Sequence, residues 1–131
     1  MENSEYTARG MTERNTELAF AEIELARIKK AVGGFCQNRI PAEIRDKLRL
    51  EYSVNRHDIV ISEIRPRWRN PGEEIATPIA KIKYVRSANE WRLYWMRADL
   101  KWHGYDPQPV GKSLEELVDV VNADEFCCFF G

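Results

Sequence analysis

The sequence predicts an α+β domain whose sheet is an antiparallel meander, and three observations carry that prediction. Apolar residues recur at spacings of three and four from Leu18 to Cys36. From Leu50 onward they alternate singly with polar residues between turn signals. Near the end, Ser113-Leu114-Glu115-Glu116 opens a second amphipathic segment. This order suits a sheet of about four strands with an N-terminal helix, a short second helix and a C-terminal helix on one face. A chain of 131 residues, 44% of them hydrophobic, can bury one modest core but not two.

Residues 1–16 are polar and aperiodic, so they are expected to form a disordered leader ahead of a single domain over 17–131. From Glu17 to Asn38, Leu18, Ala21, Leu25, Ile28, Val32, Phe35 and Cys36 fall within one quadrant of a helix and predict a core-facing stripe. Phe20 and Ile23 lie off that stripe and point to a second contact surface. Gly33-Gly34 costs the helix about 2 kcal/mol relative to alanine, so a kink or an end is expected there. Pro41 suits the first turn of a short helix over Ala42–Leu48.

Leu50, Tyr52 and Val54 alternate with Glu51, Ser53 and Asn55 as a first strand, and Asn55-Arg56-His57-Asp58 reads as a hairpin turn. The second strand runs from Ile59 to about Arg65, stopping near Pro66 because proline cannot donate to a central ladder. Asn70-Pro71-Gly72-Glu73-Glu74 reads as a loop, and Ile79–Arg86 as the third strand. After a turn at Ser87-Ala88-Asn89-Glu90 a fourth strand starts at Trp91. The stretch Trp91–Tyr105 is too long for one strand, so a bend or bulge is expected near Ala98-Asp99. Asp106-Pro107-Gln108-Pro109 ends the sheet. Ser113 then caps a helix burying Leu114, Leu117, Val118 and Val121, with Glu116 reaching back to the Ser113 amide. The apolar stretch Phe126–Gly131 is expected to dock on the body.

Several function classes are excluded at this stage. No apolar run reaches the ~18–20 residues of a membrane span. The polar start lacks the apolar stretch of a signal peptide, so a cytoplasmic location is expected. Three cysteines (Cys36, Cys127, Cys128) without CxxC spacing argue against a disulfide scaffold or a zinc knuckle. Two histidines, His57 and His103, give no ligand spacing, so no metal and no cofactor are expected.

Net charge is −1, but its distribution is uneven. Met1–Ala26 carries six acids and two bases, Ser113–Gly131 five acids and no base, and Arg27–Lys112 eighteen bases and ten acids. A basic centre between acidic ends either marks an anion-binding face or is self-complementary, the ends folding back over the middle.

Glu63-Ile64-Arg65-Pro66-Arg67-Trp68, the tryptophan-rich run from Trp91 to His103, Tyr105-Asp106-Pro107, the Ser113 cap and the terminal Cys128-Phe129-Phe130-Gly131 occur here in that order. Together they resemble a family of small bacterial proteins known as domain of unknown function 3024, over roughly Leu18 to Gly131. The sequence departs from that pattern at Gly33-Gly34 and at Cys127, where the family tends to carry glycine. The resemblance implies a bacterial origin and no activity or catalytic residue.

Strand parity supplies the candidate sites. Glu63, Arg65 and Arg67 share one face, Lys81 and Lys83 another, Arg92 and Tyr94 lie opposite Trp91, Leu93 and Trp95, and beyond the expected bend Lys101, His103 and Tyr105 lie opposite Leu100 and Trp102. With the polar faces aligned, Arg65, Arg67, Lys81, Lys83, Arg92 and Lys101 form a basic surface with Tyr94 and Tyr105 among them. Cations that track phosphates beside rings that stack on bases are the chemistry of single-stranded nucleic-acid binding. The leading expectation is therefore an accessory protein for nucleic acid or another anionic partner, with Trp91, Trp95 and Trp102 as core. The plainer alternative is a sheet that merely turns its charges to water.

An enzyme reading rests on Glu63, Asp99, Lys101 and His103: a carboxylate followed at two positions by lysine on one strand recurs in metal-dependent nucleases, with histidine as a general base. It is the weaker reading, because such a spacing is common, and an ion-pair network with Arg65 would explain the same residues. A third class is a protein-interaction module built on the apolar C-terminal tail.

Overall fold

Six antiparallel strands form one sheet in the computed structural model, which describes residues 19–131. The expected leader over 1–16 and the Leu18 end of the first helix lie outside the described residues. The chain begins with α1 (Glu22–Ile28), a π-helical turn (Lys29–Gly33) and α2 (Gly34–Arg39), followed by a 3-10 turn (Ala42–Ile44). The strands are β1 (Arg49–Asn55), β2 (Asp58–Arg67), β3 (Asn70–Val85), β4 (Glu90–Met96), β5 (Trp102–Gly104) and β6 (Val110–Gly111), and α3 (Leu114–Ala123) closes the fold. They lie in the order β1-β2-β3-β4-β5, with β6 also pairing β4.

One face of the sheet carries the core. Register places Tyr52, Ile61, Ala80, Trp95 and His103 in one row, and Val54, Ile59, Ile82 and Leu93 in the next. Against them pack Ile28, Val32, Phe35 and Cys36 from the N-terminal helices and Leu114, Leu117, Val118 and Val121 from α3. Each such aliphatic contributes about 1.5–3 kcal/mol by leaving water. The four buried α3 positions are thus as expected from periodicity, and so is the stripe from Ile28 onward, whereas Leu25, expected to face the core, is 41% exposed and Ala21 is only partly buried. Phe20, off the stripe, stacks on Trp91 (5.9 Å between centres) and meets the His57 edge at 5.1 Å, which is its second surface.

Several expectations need correction. Gly33-Gly34 does not end the helix: both keep right-handed helical angles, and the irregularity expected there takes the form of a π turn over Lys29–Gly33, after which the helix continues. The short helix over Ala42–Leu48 is only a 3-10 turn. The loop expected over Asn70–Glu74 is part of β3, a 16-residue strand, and β2 continues through Pro66 to Arg67. The proline argument fails there for a physical reason. β1 pairs β2 only as far as Ile64, and β4 pairs β3 only over Ala80–Val85. Beyond those points β2 and β3 form a two-stranded arm with free outer edges, where Pro66, Pro71 and Pro78 need no donor. Where the arm leaves the body, Ile61 pairs Ala80 but Ser62 pairs Pro78, so Ile79 is the extra residue of a bulge.

The expected bend near Ala98-Asp99 is a hairpin turn. Leu100 N–H donates to the Arg97 carbonyl at 2.8 Å, and Leu100 is left-handed at φ 62°. Asp106–Pro109 does not end the sheet, since β6 follows. At α3, Ser113 Oγ accepts from the Glu116 amide at 3.1 Å, but the Glu116 carboxylate accepts from Lys112 N–H at 3.0 Å rather than from Ser113. After α3, Asp124 turns left-handed and its two oxygens accept from the Phe129 and Phe130 amides, each at 2.9 Å. The tail therefore docks: Phe129 is buried against Tyr105, and Phe130 lies near Phe35 with Arg39 4.2 Å over its ring. Phe126 remains 59% exposed. No helix among the described residues is long and apolar enough to cross a membrane.

Candidate nucleic-acid interface

The sheet face turned away from the helices holds the cationic and aromatic residues. Direct cross-strand pairing sets Lys81 opposite Tyr94 and Lys83 opposite Arg92. Met96 pairs Trp102, so Trp102 shares this face. The Lys81 ammonium lies 4.8 Å from the Tyr94 ring centre and 5.5 Å from that of Trp102. All three are partly buried.

Charge on this face is only partly cancelled. Arg92 Nε donates to Glu90 at 2.7 Å, and its guanidinium is held above the ordinary arginine range chiefly by that bond. Asp58 is the cross-strand partner of Lys83. Among the described residues no carboxylate lies within ion-pair distance of Lys81 or Lys83. Toward the arm the surface changes character: Arg49 reaches over to Glu74 at 2.9 Å, and Ile64, the cross-strand partner of Arg49, is buried there.

The acidic C-terminal segment does not cover this surface. α3 packs on the helix side of the sheet, Glu115 binds Arg27 at 3.1 Å, and Glu116 and Asp124 are engaged by main-chain amides. Glu24 of α1 binds Arg86 at 3.0 Å. The acid–base balance between ends and centre is thus partly satisfied at the rim, away from Lys81.

Of the expected binding residues, Lys81, Lys83, Arg92 and Tyr94 are brought together. Arg65 and Arg67 are not: β2 parity puts them in the row of Glu63 and Ile61, on the opposite face, where they pair with Glu63 at 3.5 Å and Glu73 at 3.0 Å. Tyr105 is 2% exposed and belongs to the core, and Lys101 stands exposed beside the β4–β5 turn. The expected bend would have exchanged faces at this point. The hairpin pairs even-numbered residues with even-numbered ones, so Trp102 is on the open face and His103 on the helix side. Trp102 is therefore not a core residue, whereas Trp91 and Trp95 pack on the core as expected.

The four candidate catalytic residues do not converge. His103 on β5 and Glu63 on β2 are separated by β3 and β4, three spacings of about 4.8 Å or roughly 14 Å. Asp99 and His103 do meet, with His103 Nε2 and Asp99 Oδ2 2.8 Å apart. Asp99 also accepts from the Lys101 amide at 3.0 Å, and these bonds, His103 first, lower its pKa. This is the geometry of a carboxylate stabilising its own turn. No group of three potential metal ligands occurs among the described residues. The cysteines are free, and burial pushes the Cys36 thiol up to about 12, away from nucleophilic use.

Two aromatic candidates escaped sequence reasoning. The expected bend puts Trp102 on the wrong face, and Trp68 lies between the expected end of the second strand near Arg65 and the loop expected from Asn70. Trp68 is 85% exposed at the tip of the arm, beside Arg67 and with the Arg69 guanidinium 5.3 Å from its ring. The run Arg65-Pro66-Arg67-Trp68-Arg69 was the available signal.

Fold and surface together define a small α+β domain that covers one face of an antiparallel sheet with helices and leaves a cation–aromatic face open. The family model described as domain of unknown function DUF3024 matches residues 20–131, and the chain belongs to that family. No curated protein and no solved structure matches it.

Proposed function

We propose that this domain is a bacterial cytoplasmic accessory protein that binds single-stranded nucleic acid along the open sheet face. Tyr94 and Trp102 stack on bases while Lys81, Lys83 and Arg92 neutralise phosphates. The observation that carries this reading is Lys81 held between two partly exposed rings with, among the described residues, no carboxylate within ion-pair distance. A strand that merely solvated its charges would need neither ring on this face. Trp68 and Arg69 at the arm tip extend the same chemistry to one end of the sheet. The nuclease reading has no comparable support, because its carboxylates stand apart.

The test is fluorescence anisotropy of labelled single-stranded DNA and RNA oligomers with the full-length protein across a salt series. Three phosphate contacts predict a log–log salt slope of about −2, at about −0.7 each. Lys81→Ala with Lys83→Ala should flatten that slope, and Trp102→Ala should weaken binding with the slope retained. Absence of binding at low salt, or binding indifferent to these variants, refutes the proposal.

A further inference from the structure

We propose that the groove between the N-terminal helices and the free edge of β1 binds an extended acidic peptide segment of a partner protein by strand addition. Among the described residues β1 is the outermost strand and pairs β2 alone. Its two-residue hairpin closes on the pair Asn55–Asp58, so Arg49, Glu51, Ser53 and Asn55 turn their main-chain groups to β2. Leu50, Tyr52 and Val54 then turn their N–H and C=O groups to the outer edge. Among the described residues none of those groups has a hydrogen-bond partner. Such an edge is a template for one more strand.

Beside the edge lies a groove of about 650 Å³, bounded by Lys29, Lys30, Gly33 and Gly34 on the helices and by Leu50, Glu51 and Tyr52 on β1. Gly34 is the informative residue. Its backbone is right-handed helical, at φ −60° and ψ −45°, so the conformation does not require glycine. A Cβ built there meets no atom within 4 Å, so the packing does not require it either. Alanine would favour the helix. Glycine at this position keeps the groove open, whereas Gly33 faces Tyr52, whose ring a Cβ would touch at 3.4 Å. The π turn over Lys29–Gly33 sits at the same place, and such turns recur at functional sites.

Charge selects the occupant. Lys29 and Lys30 are exposed at the groove, and among the described residues no carboxylate is within ion-pair distance of either. Glu51, the one acidic residue lining the groove among the described residues, has its carboxylate taken by Arg49 at 2.9 Å. An occupant with a carboxylate beside Lys29 and Lys30, and a small apolar side chain two positions away over Gly34, satisfies both the charge and the shape. This site is on the helix side of the sheet, so its occupation is independent of the Lys81 face.

The experiment is selection of displayed random octapeptides on the full-length protein, with Gly34→Leu as counter-target. Enriched sequences should alternate apolar and acidic residues. A synthetic peptide of the enriched sequence should lose about tenfold or more in affinity on Gly34→Leu, on Lys29→Glu with Lys30→Glu, and when alternate peptide amides are N-methylated. Should Gly34→Leu fail to fold, the two lysine substitutions, at exposed positions, carry the test. Gly34→Ala should raise Tm without removing binding. The proposal is overturned by a lack of enrichment, or by binding that ignores the charge reversals or the N-methylation. It is equally overturned if a peptide of residues 1–18 displaces the selected one at lower concentration, which would assign the groove to the chain's own start. Dimerisation that Gly34→Leu abolishes would assign it to a second copy instead, and overturn it too.

Discussion

Lys81 and Tyr94 are direct cross-strand partners on β3 and β4, and the ammonium of the first lies 4.8 Å from the ring centre of the second. The Trp102 ring, brought back by the β4–β5 hairpin, holds the same ammonium from 5.5 Å. A cation over an exposed ring is worth only about 0.5–1 kcal/mol, so this cluster adds little to folding. It keeps a charge and two ring faces in register on a surface that the helices leave bare.

That imbalance between stability and binding is testable. Trp102→Ala should cost only about 1–2 kcal/mol in urea denaturation, since the ring is partly exposed and lies off the core, yet weaken oligonucleotide binding by about 1–3 kcal/mol, the loss of one base stack. Leu93→Ala, on the same hairpin but fully buried, should cost about 2–5 kcal/mol of stability. Equal stability losses for the two would place Trp102 in the core and contradict its position.

The tail depends on Asp124. Its carboxylate accepts from both the Phe129 and the Phe130 amide, and each charge-assisted bond is worth about 1.5–3 kcal/mol. Asp124→Ala should destabilise the domain by about 2–3 kcal/mol, and hydrogen exchange at residues 129 and 130 should accelerate more than exchange in β2. Unchanged exchange there would mean that Phe129 burial alone holds the tail.

Cys127 has φ 58°, the left-handed region in which a Cβ costs about 1–2 kcal/mol. Cys127→Gly should therefore raise the urea midpoint, a gain in stability of up to about 1 kcal/mol once the added freedom of the unfolded chain is counted. A lower midpoint would show that the thiol makes a compensating contact.

Acid sensitivity should be traceable to Glu24. Its carboxylate accepts from the Ala21 amide at 2.8 Å and from Arg86 at 3.0 Å, joining the start of α1 to the end of β3. The Arg86 bond is the main reason its pKa lies below the ordinary 4.5; partial burial opposes the shift. The folded-state pKa is the lower one, so the stabilisation is present above about 4.5 and disappears as pH falls through the folded value. The pair is part-exposed, so Glu24→Gln should cost less than about 1 kcal/mol at pH 7 and less at pH 3 than at pH 7. Equal losses at both values, measured by urea midpoints, would remove the charge from the explanation.

The sequence by itself determined the α+β class, the core stripe of Ile28, Val32, Phe35 and Cys36, the buried face of α3 and the grouping of Lys81, Lys83, Arg92 and Tyr94. These are consequences of side-chain period within one element or between adjacent strands, and period is written in the order of residues. Only the tertiary structure decided how far each strand extends and which face the chain presents after a turn. Prolines end a strand only where a neighbour needs their missing N–H, and whether β1 or β4 runs alongside Pro66 and Pro78 is a matter of partner length. The face given to Trp102, His103 and Tyr105 hung on whether the Ala98–Leu100 segment was a bulge or a hairpin, which differ by one residue in register. The space at Gly34 likewise exists only between two elements, so no property of the helix sequence alone could reveal it.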